Sequence, residues 1–479
     1  MKNLLVRYAL LPKAVKASLW FTLCSILQKG ISFITIPIFT RMLSVEEYGV
    51  IALFSAWQGI LCIFATLNLS FQIFNNGMIK FEKDRAGYTT AMLGLSNFAT
   101  IILFMIYWVF HAWLDVLFNL PPEAMLLMFS GFLFSAATSL WTVQQRYLFE
   151  YRLVCLITLG LTFGSAVLGV IFVYFRETGV SRIFANTIAE VIVGAGIYCL
   201  LLSKDKKLIH FIYWRYALKL DLPLIPHYLS MMVLGNSDRI MIGNMCGKAV
   251  TALYSVPYNA SVVMWIIITS INATFIPWIY QKCKAGEFRN IKEVSSFLLI
   301  LVMVITLLPS LFAPELVWIL GADRYRESMW VVPPVSCSVF FIFVYSLFSN
   351  IELFYEKSQN IMIASLCAAV GNVMLNYIFI PRFGYLAAAY TTLVCYILLA
   401  VMHYYFMMDI CKDKRIQETI YNTRLIISLS AFLVIYSLGV TLLFDKPWWI
   451  RYAGLALILC GVVCKRESIR RNFELIREK

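Results

Sequence analysis

Charged residues are scarce in this chain, at 14% of 479 residues, while hydrophobic residues reach 61%. A soluble domain carries about 25% charged and about half apolar residues, so this composition excludes a water-soluble globule. The sequence also lacks any polar stretch between its hydrophobic runs that is long enough to form a soluble domain. It therefore predicts a single all-α, polytopic membrane protein.

Signatures of catalysis and of cofactor binding are missing as well. The chain has four histidines, no GxxxxGK[ST] nucleotide-binding motif and no CxxC pair among its twelve cysteines. Most cysteines lie within hydrophobic runs, where a thiol packs as a small apolar group. His111, His210 and His403 are interpreted as interface or loop residues. We expect no enzyme activity, no metal, no cofactor and no direct use of ATP.

The chain does have fourteen hydrophobic runs of the length that crosses a bilayer, about 20 residues each. The first covers 18–39, the seventh 222–244 and the fourteenth 449–464. No removable signal peptide is recognised before the first run. One alternate set of loops, which includes both termini, holds about three times as many Lys and Arg as the other set, and this predicts cytoplasmic termini. The net charge of +14 then needs no nucleic-acid partner, although it favours contact with anionic lipid.

Weak internal similarity divides the chain in two. Tyr174–Gly179 resembles Phe379–Gly384, and Ser44–Ala56 resembles Gly247–Ala260. Because six runs separate the repeats, they predict two six-helix lobes of equal orientation, related by a pseudo-two-fold axis along the membrane normal. The expected parts are an N-terminal lobe (1–203), a basic cytoplasmic linker (204–221), a C-terminal lobe (222–408), and two extra helices with a basic tail (409–479).

Polar stripes mark the first helix of each predicted lobe. Ionisable groups at membrane depth usually face a protein interior or water, so Lys29, Asp238 and Arg239 are functional candidates. Asp238 and Arg239 can equally form a neutral pair that only fixes helix packing. Ser and Thr in such stripes often hold helices together. The two stripes are Ser18, Thr22, Ser25, Gln28, Lys29 and Ser32 in the first run, and His227, Ser230, Ser237 and Asp238 in the seventh.

Amides, aromatic rings and two further acids complete the candidates. Gln58 and Asn68 lie in or near the second run, while Tyr258 and Asn272 lie in the eighth. Amides beside aromatic rings suit sugar rings, but they are also common in membrane proteins that bind no sugar. Glu190, Glu352 and Asp238 are the acids that could bind a coupling cation.

Several segments together carry a family resemblance. They are RMLSVEEYGVIAL (Arg41–Leu53), LPLIPHYL and NSDRIMIGNMCG in and after the seventh run, ALYSVPYNA in the eighth, FIPWIY (Phe275–Tyr280) and NVMLNYIFIPRFGYLAAAY (Asn372–Tyr390). In order and spacing, the chain resembles the polysaccharide-transporter branch of the exporter superfamily that includes O-antigen flippases, lipid II flippases and multidrug extruders.

The resemblance implies a flippase that moves a polyprenyl-pyrophosphate-linked oligosaccharide from the inner to the outer leaflet of the bacterial inner membrane. The cargo would be an O-antigen, capsule or exopolysaccharide unit, moved by alternating access and driven by H⁺ or Na⁺ antiport. An association with the glycan polymerase machinery is a further expectation. Lys29, Arg41 and Arg239 would hold the pyrophosphate in a central cavity. The resemblance places Gln28, Gln58, Asn68, Tyr258 and Asn272 in the same cavity, with Asp238, Glu190 or Glu352 binding the coupling cation.

Four alternatives predict different features. A multidrug extruder should keep acids in the first lobe's cavity, and Lys29 argues against it. A lipid II flippase would carry several cavity arginines, where the first run offers one lysine. A glycan polymerase or ligase would need a large outer loop with Arg or His, but the outer loops here are short. A channel or scaffold would not respond to ion gradients.

Overall fold

The computed structural model describes residues 12–71 and 73–453. Within these ranges the chain forms α-helices and short 3₁₀ turns, and no strand occurs. Twelve helices in this described part of the chain are long and apolar enough to cross a membrane. The predicted all-α, multi-pass membrane fold is therefore confirmed.

The chain divides into two compact units at residues 252 and 253. Long helices dominate the first unit because every backbone polar group inside a bilayer must find its partner within the protein. Short 3₁₀ turns precede α4 and α9. The helices of this unit are α1 (Lys13–Met42), α2 (Val45–Thr66), α3 (Ile73–Lys80), α4 (Arg85–Phe118), α5 (Pro122–Tyr147), α6 (Tyr151–Phe175), α7 (Gly179–Lys204), α8 (Phe211–Asp221) and α9 (Ile225–Met245).

Side chains before the helices fix where several of them begin. Ser44 accepts a hydrogen bond from the backbone N–H of Glu47 ahead of α2, and Thr178 accepts one from Ser181 at the start of α7. Such caps satisfy N–H groups that have no partner within the helix. The first residue of α7 is thereby set at Gly179, so Arg182 lies inside this helix.

The helix α10 (Lys248–Tyr258) spans the division between the two units. Within the second unit, α14 is the central helix, since most of its side chains are buried and it packs against α11, α12, α16 and α17. The remaining helices are α11 (Ala260–Ala285), α12 (Phe288–Leu311), α13 (Ala313–Gly321), α14 (Val332–Phe354), α15 (Ser358–Phe383), α16 (Tyr385–Asp413) and α17 (Thr423–Gly439).

Two of the predicted runs are not among the twelve membrane-length helices. The seventh run forms a 3₁₀ turn and α9, which is rich in polar residues and falls outside the apolar set. Most of the fourteenth run, 449–464, lies outside the described residues. The eighth run is a pair of helices, α10 and α11, which meet at Asn259 directly after Pro257 and Tyr258.

The compact units do not begin where the predicted lobes begin. The helix α9 packs against α2 and belongs to the first unit, although the sequence assigns it to the C-terminal lobe. Asn119 Nδ2 donates to the carbonyl of Gly243 (2.9 Å), and Asn244 Nδ2 donates to the carbonyl of Leu117 (3.0 Å). These bonds tie the end of α9 to the turn that follows α4. The lobe, linker and repeat boundaries stay predictions.

Candidate functional site

A polar cavity of about 220 Å³ lies inside the first unit, among α1, α6 and α7. The helix α7 contributes Arg182, Asn186 and Glu190, which recur every four residues and so share one helix face. Ionisable groups among membrane-length helices are costly unless they face water or a polar partner. The other polar residues of the wall are Ser32 and Thr35 from α1 and Thr162 and Ser165 from α6.

Hydrogen bonds between α1 and α6 build one wall of this cavity. Gln28 Nε2 donates to the carbonyl of Thr158 (3.4 Å) and to the hydroxyl of Thr162 (3.3 Å). Thr162 Oγ1 in turn donates to the carbonyl of Thr158 (2.8 Å), and Ser32 Oγ donates to the carbonyl of Gln28 (2.9 Å). The hydroxyls and the amide are thereby held in place, with their remaining lone pairs available to a ligand.

Arg182 is the basic residue of the cavity. Its Nη1 donates to the carbonyl of Ser165 (3.1 Å), and its Cζ lies 4.6 Å from the centroid of the Phe39 ring. Gly169 makes room for this arrangement, since a Cβ there would lie 2.9 Å from Arg182 Cδ. Within the described residues no carboxylate forms a salt bridge with Arg182. Its remaining N–H groups can therefore bind an anionic oxygen, for which a guanidinium is well shaped.

Glu190 is the acidic residue of the cavity. It lies two helical turns beyond Arg182, about 12 Å along the axis at 1.5 Å per residue. The carboxyl group is half-buried, and no hydrogen bond to it occurs in the part of the chain that the structure describes. The cavity thus presents a cationic group at one position and a carboxyl group at another, with hydroxyls and an amide between them.

The second unit contains a separate buried pair of titratable groups. His403 Nδ1 on α16 lies 2.6 Å from Glu352 Oε1 on α14, and the side chains are 1% and 0% exposed. The Tyr345 ring stacks on the imidazole with centroids 5.6 Å apart. The interpretation of His403 as a loop residue is wrong, because it is buried within α16. Its partner is 51 positions away, so no local pattern reveals the pair.

With this geometry in view, the comparison with known sequences is informative. Residues 14–282, more than half of the chain, match the family described as polysaccharide biosynthesis protein. The chain belongs to this family. The family resemblance predicted from the sequence is thereby confirmed.

Individual proteins and solved structures are also similar to this polysaccharide biosynthesis protein. Lsg locus protein 1 of Haemophilus influenzae is 22% identical over 376 residues, which cover 75% of this chain and 89% of the relative. A structure of the lipid II flippase MurJ in an inward closed conformation superposes with a TM-score of 0.71 at 12% identity, over 94% of this chain and 99% of that one. An inward-facing MATE family multidrug resistance transporter of the MOP superfamily superposes with a TM-score of 0.61 at 15% identity. The superposition covers 81% of this chain and 96% of the transporter.

At such identities the structural neighbours show a common fold. They are a lipid II flippase and a multidrug resistance transporter.

Among the residues that the sequence assigned to the first lobe's site, the cavity brings together Glu190 and, through its wall, Gln28. Lys29 is exposed and does not line it. Arg41 is also exposed, and its Nη1 donates to the carbonyl of Pro37 (2.9 Å). Gln58 is half-buried in α2 outside the cavity.

The other predicted residues do not line this cavity. Asn68 follows α2 with a left-handed backbone (φ 48°), and Asp238 is buried in α9 with 2% exposure. Beside it, Arg239 Nη1 donates to Asn236 Oδ1 (3.3 Å). In the second unit the Tyr258 ring lies 5.6 Å from that of Tyr254, and Asn272 Nδ2 donates to Ser346 Oγ (3.2 Å). Their roles remain predictions.

The sequence interpretation missed Arg182 and Asn186. In the sequence, the sixth hydrophobic run covers 183–202, so Arg182 is assigned to the outer loop before it. The signal that could have found both is the four-residue spacing of Arg182, Asn186 and Glu190, a helical stripe that begins at the first turn of α7.

Proposed function

We propose that this polysaccharide biosynthesis protein is a flippase that moves a polyprenyl-pyrophosphate-linked oligosaccharide from the cytoplasmic to the outer leaflet of the bacterial inner membrane. The cargo is an O-antigen, capsule or exopolysaccharide repeat unit, and the cycle is alternating access. The observation that carries the proposal is the cavity of α1, α6 and α7, where a guanidinium, hydroxyls and an amide face a common space.

Physical chemistry links this cavity to that cargo. A pyrophosphate and several sugars cannot enter hydrocarbon unaided, because each buried charge and each unpaired hydroxyl costs several kcal/mol. A polar cavity replaces the lost water contacts, while the apolar tail can stay in the lipid. Charge-assisted bonds from Arg182 suit the phosphate oxygens. Asn186, Thr35 and Ser32 offer the neutral donors and acceptors that sugar hydroxyls require.

The predicted basic residues have a place in this scheme outside the cavity wall. Lys29 and Arg41 are exposed on α1 and Arg239 lies on α9, and we assign them to the attraction of the anionic headgroup before it reaches Arg182. Gln58, Asn68, Tyr258 and Asn272 are assigned to contacts with the glycan.

We further propose that the cycle is driven by a cation gradient, as an antiport. Glu190 is one candidate for the coupling group, because it faces the same cavity as the cargo site. Asp238 and Glu352 are the other carboxylates assigned to coupling. We also propose that the protein associates with glycan polymerase machinery, which receives the glycan on the outer side of the membrane.

Complementation tests this function. A strain that lacks its own flippase for a lipid-linked glycan receives the wild-type gene, Arg182→Ala or Arg289→Ala, and outer-leaflet lipid-linked glycan is measured at equal membrane abundance. We expect the wild type and Arg289→Ala to restore it, because Arg289 is an exposed residue paired with Glu293. Arg182→Ala should lose about 90% or more, the effect of one charge-assisted bond of about 1.5–3 kcal/mol.

The proposal fails if the wild-type protein restores no glycan in any of a panel of such strains. Export of cationic dyes by the same cells would then favour a multidrug extruder, and rescue of a strain that lacks lipid II flipping would name lipid II as the cargo.

A further inference from the structure

The Glu352–His403 pair is almost completely buried on both sides. Other pairs, such as Lys13–Glu150 and Lys412–Asp409, join exposed side chains. Burial of a carboxylate with an imidazole is expensive unless the geometry satisfies both groups. Here only part of that requirement is met, because Glu352 Oε2 is buried without a hydrogen-bond partner.

Within the described residues, His403 is the titratable group in hydrogen-bond contact with Glu352. Lys282 and Lys414 lie near helix ends, with Lys282 bonded to Glu287 and Lys414 beside the ring of Tyr355. The charged residues Asp409 and Lys412 on α16 pair with each other, as do Arg289 and Glu293 on α12. The packed elements also carry phenols and thiols, including Tyr345 on α14, Tyr396 and Cys411 on α16, Tyr280 and Cys283 on α11, and Tyr421 before α17.

We propose that the Glu352–His403 pair is the site that binds the coupling proton, an inference that rests on the proposed cation-driven transport. Hard metal cations such as Na⁺ prefer sites built from several oxygen ligands, whereas a carboxylate facing an imidazole at 2.6 Å is a site for a proton. A proton that enters forms an O–H bond at Glu352 Oε2 or an N–H bond at the imidazole, and the same bond breaks on release. No other bond changes.

Occlusion of the pair fits such a role. With both side chains at most 1% exposed, water cannot exchange the proton in the conformation that the structure shows. Proton exchange therefore requires another conformation of the transport cycle, in which α14 and α16 expose the pair. If a side chain can exchange its proton with water in only some conformations, the proton gradient favours certain steps of the conformational cycle.

The alternative is that the pair only holds α14 to α16. Glu352→Gln separates these roles, because a glutamine keeps the shape and a hydrogen bond to His403 but cannot bind or release a proton. Glu356→Gln is the matched control, since Glu356 lies four positions further along the chain and is exposed.

Proteoliposomes that contain a fluorescent polyprenyl-pyrophosphate oligosaccharide provide the first test. For one proton per cycle, a gradient of one pH unit shifts the steady-state distribution up to about tenfold in the wild type and in Glu356→Gln. In Glu352→Gln the shift should fall below about twofold, while substrate exchange without a gradient continues. The inference is overturned if the pH gradient shifts the glycan distribution in Glu352→Gln as much as in the wild type. It is also overturned if Glu190→Gln loses this shift while Glu352→Gln keeps it.

Infrared spectroscopy tests the inference without any cargo. Other buried carboxyls, such as Asp221, also protonate between about pH 5 and about pH 9, so the pH difference spectra of the variants are compared with one another. The wild type and Glu356→Gln should share one C=O band of a protonated carboxyl that Glu352→Gln lacks. An unchanged band in Glu352→Gln overturns the inference. If the wild type moves no glycan but shows this band, the proposed function fails and the proton site stands. Should Glu352→Gln fold poorly, His403→Gln takes its place in both tests, with the response to the pH gradient and the band's pH dependence as the readouts.

Discussion

At the scale of single residues, the polar stripe of α1 predicts part of the cavity wall. The polar stripe of α1 was visible in the sequence, and Gln28 lies where the stripe predicts, against α6. Lys29 is one residue further round the helix and is exposed. A polar stripe in the sequence shows which side of a helix is polar. Which residues of that side become buried depends on where the neighbouring helix packs. Sequence reasoning therefore found the correct face of α1 without distinguishing the cavity wall from its exposed rim.

Asp221 permits a prediction about pH at the residue scale. It ends α8, outside the membrane-length helices, and is 1% exposed, and neither carboxylate oxygen has a hydrogen-bond partner among the described residues. Burial raises the pKa of Asp221 from 3.8 to about 6. The folded state thus binds this proton more tightly than the unfolded state, and the contribution of Asp221 to stability is present below about pH 4 and is lost as pH rises through 6.

Asp221→Asn should consequently stabilise the protein at neutral pH, by about 1–3 kcal/mol. The gain should shrink as the pH falls from 6 and vanish near pH 4, where the wild-type carboxyl is protonated as well. Thermal unfolding in detergent, followed across this pH range, measures it. If Asp221→Asn stabilises the protein equally at about pH 4 and at neutral pH, the effect does not come from the buried Asp221 carboxylate.

At the scale of elements, side chains from distant parts of the chain hold helix ends together. Arg451 lies in the last described segment, is 5% exposed, and donates to both carboxylate oxygens of Glu315 on α13 at 2.9 and 2.7 Å. It also donates to the carbonyl of Leu311 at the end of α12 (3.4 Å). This bidentate pair anchors residue 451 to the junction of α12 and α13.

Arg451→Ala should destabilise the second unit by about 1–3 kcal/mol, since Glu315 is partly exposed and keeps only the hydrogen bond from Tyr452 (3.3 Å). Arg451→Leu combined with Glu315→Leu should recover much of this loss, because the buried charge is then gone. A double-mutant cycle on thermal unfolding measures both effects. If the double variant is as unstable as the sum of the single ones, the two residues do not act as a pair.

Elements also show where the sequence was insufficient. Hydrophobic runs located nearly all the long helices, because a bilayer requires about 20 apolar residues whatever they pack against. The break between α10 and α11 was missed although Pro257 lies beside it, since proline occurs within other helices of this chain without ending them, as Pro37 does in α1. The partnership of Glu352 with His403 depends on how α14 and α16 pack, which a single sequence does not encode locally.

On the scale of the whole molecule, the loop charges predict the orientation in the membrane. Residues 204–221 form a basic segment, and we expect it in the cytoplasm together with both termini. The turn between α6 and α7 should then face the outside. Lys206 and Glu177 are exposed positions in these two segments.

Cysteine labelling tests this orientation. With the exposed Cys199 and Cys367 replaced by alanine, a membrane-impermeant maleimide should label Glu177→Cys in intact spheroplasts. Lys206→Cys should react only after the membrane is permeabilised. The reverse pattern would invert the orientation and with it the proposed direction of transport.

Direct measurement of flipping in a purified system tests the central claim, that a polar cavity carries an anionic lipid-linked glycan across the membrane. Proteoliposomes contain a fluorescent polyprenyl-pyrophosphate oligosaccharide, and a membrane-impermeant quencher reports the fraction in the outer leaflet. The account predicts rapid exchange of the glycan between leaflets for the wild type and Arg289→Ala, and at least about tenfold slower exchange for Arg182→Ala, the loss of one charge-assisted bond. Exchange no faster than in protein-free vesicles, or equal rates for the wild type and Arg182→Ala, would contradict it.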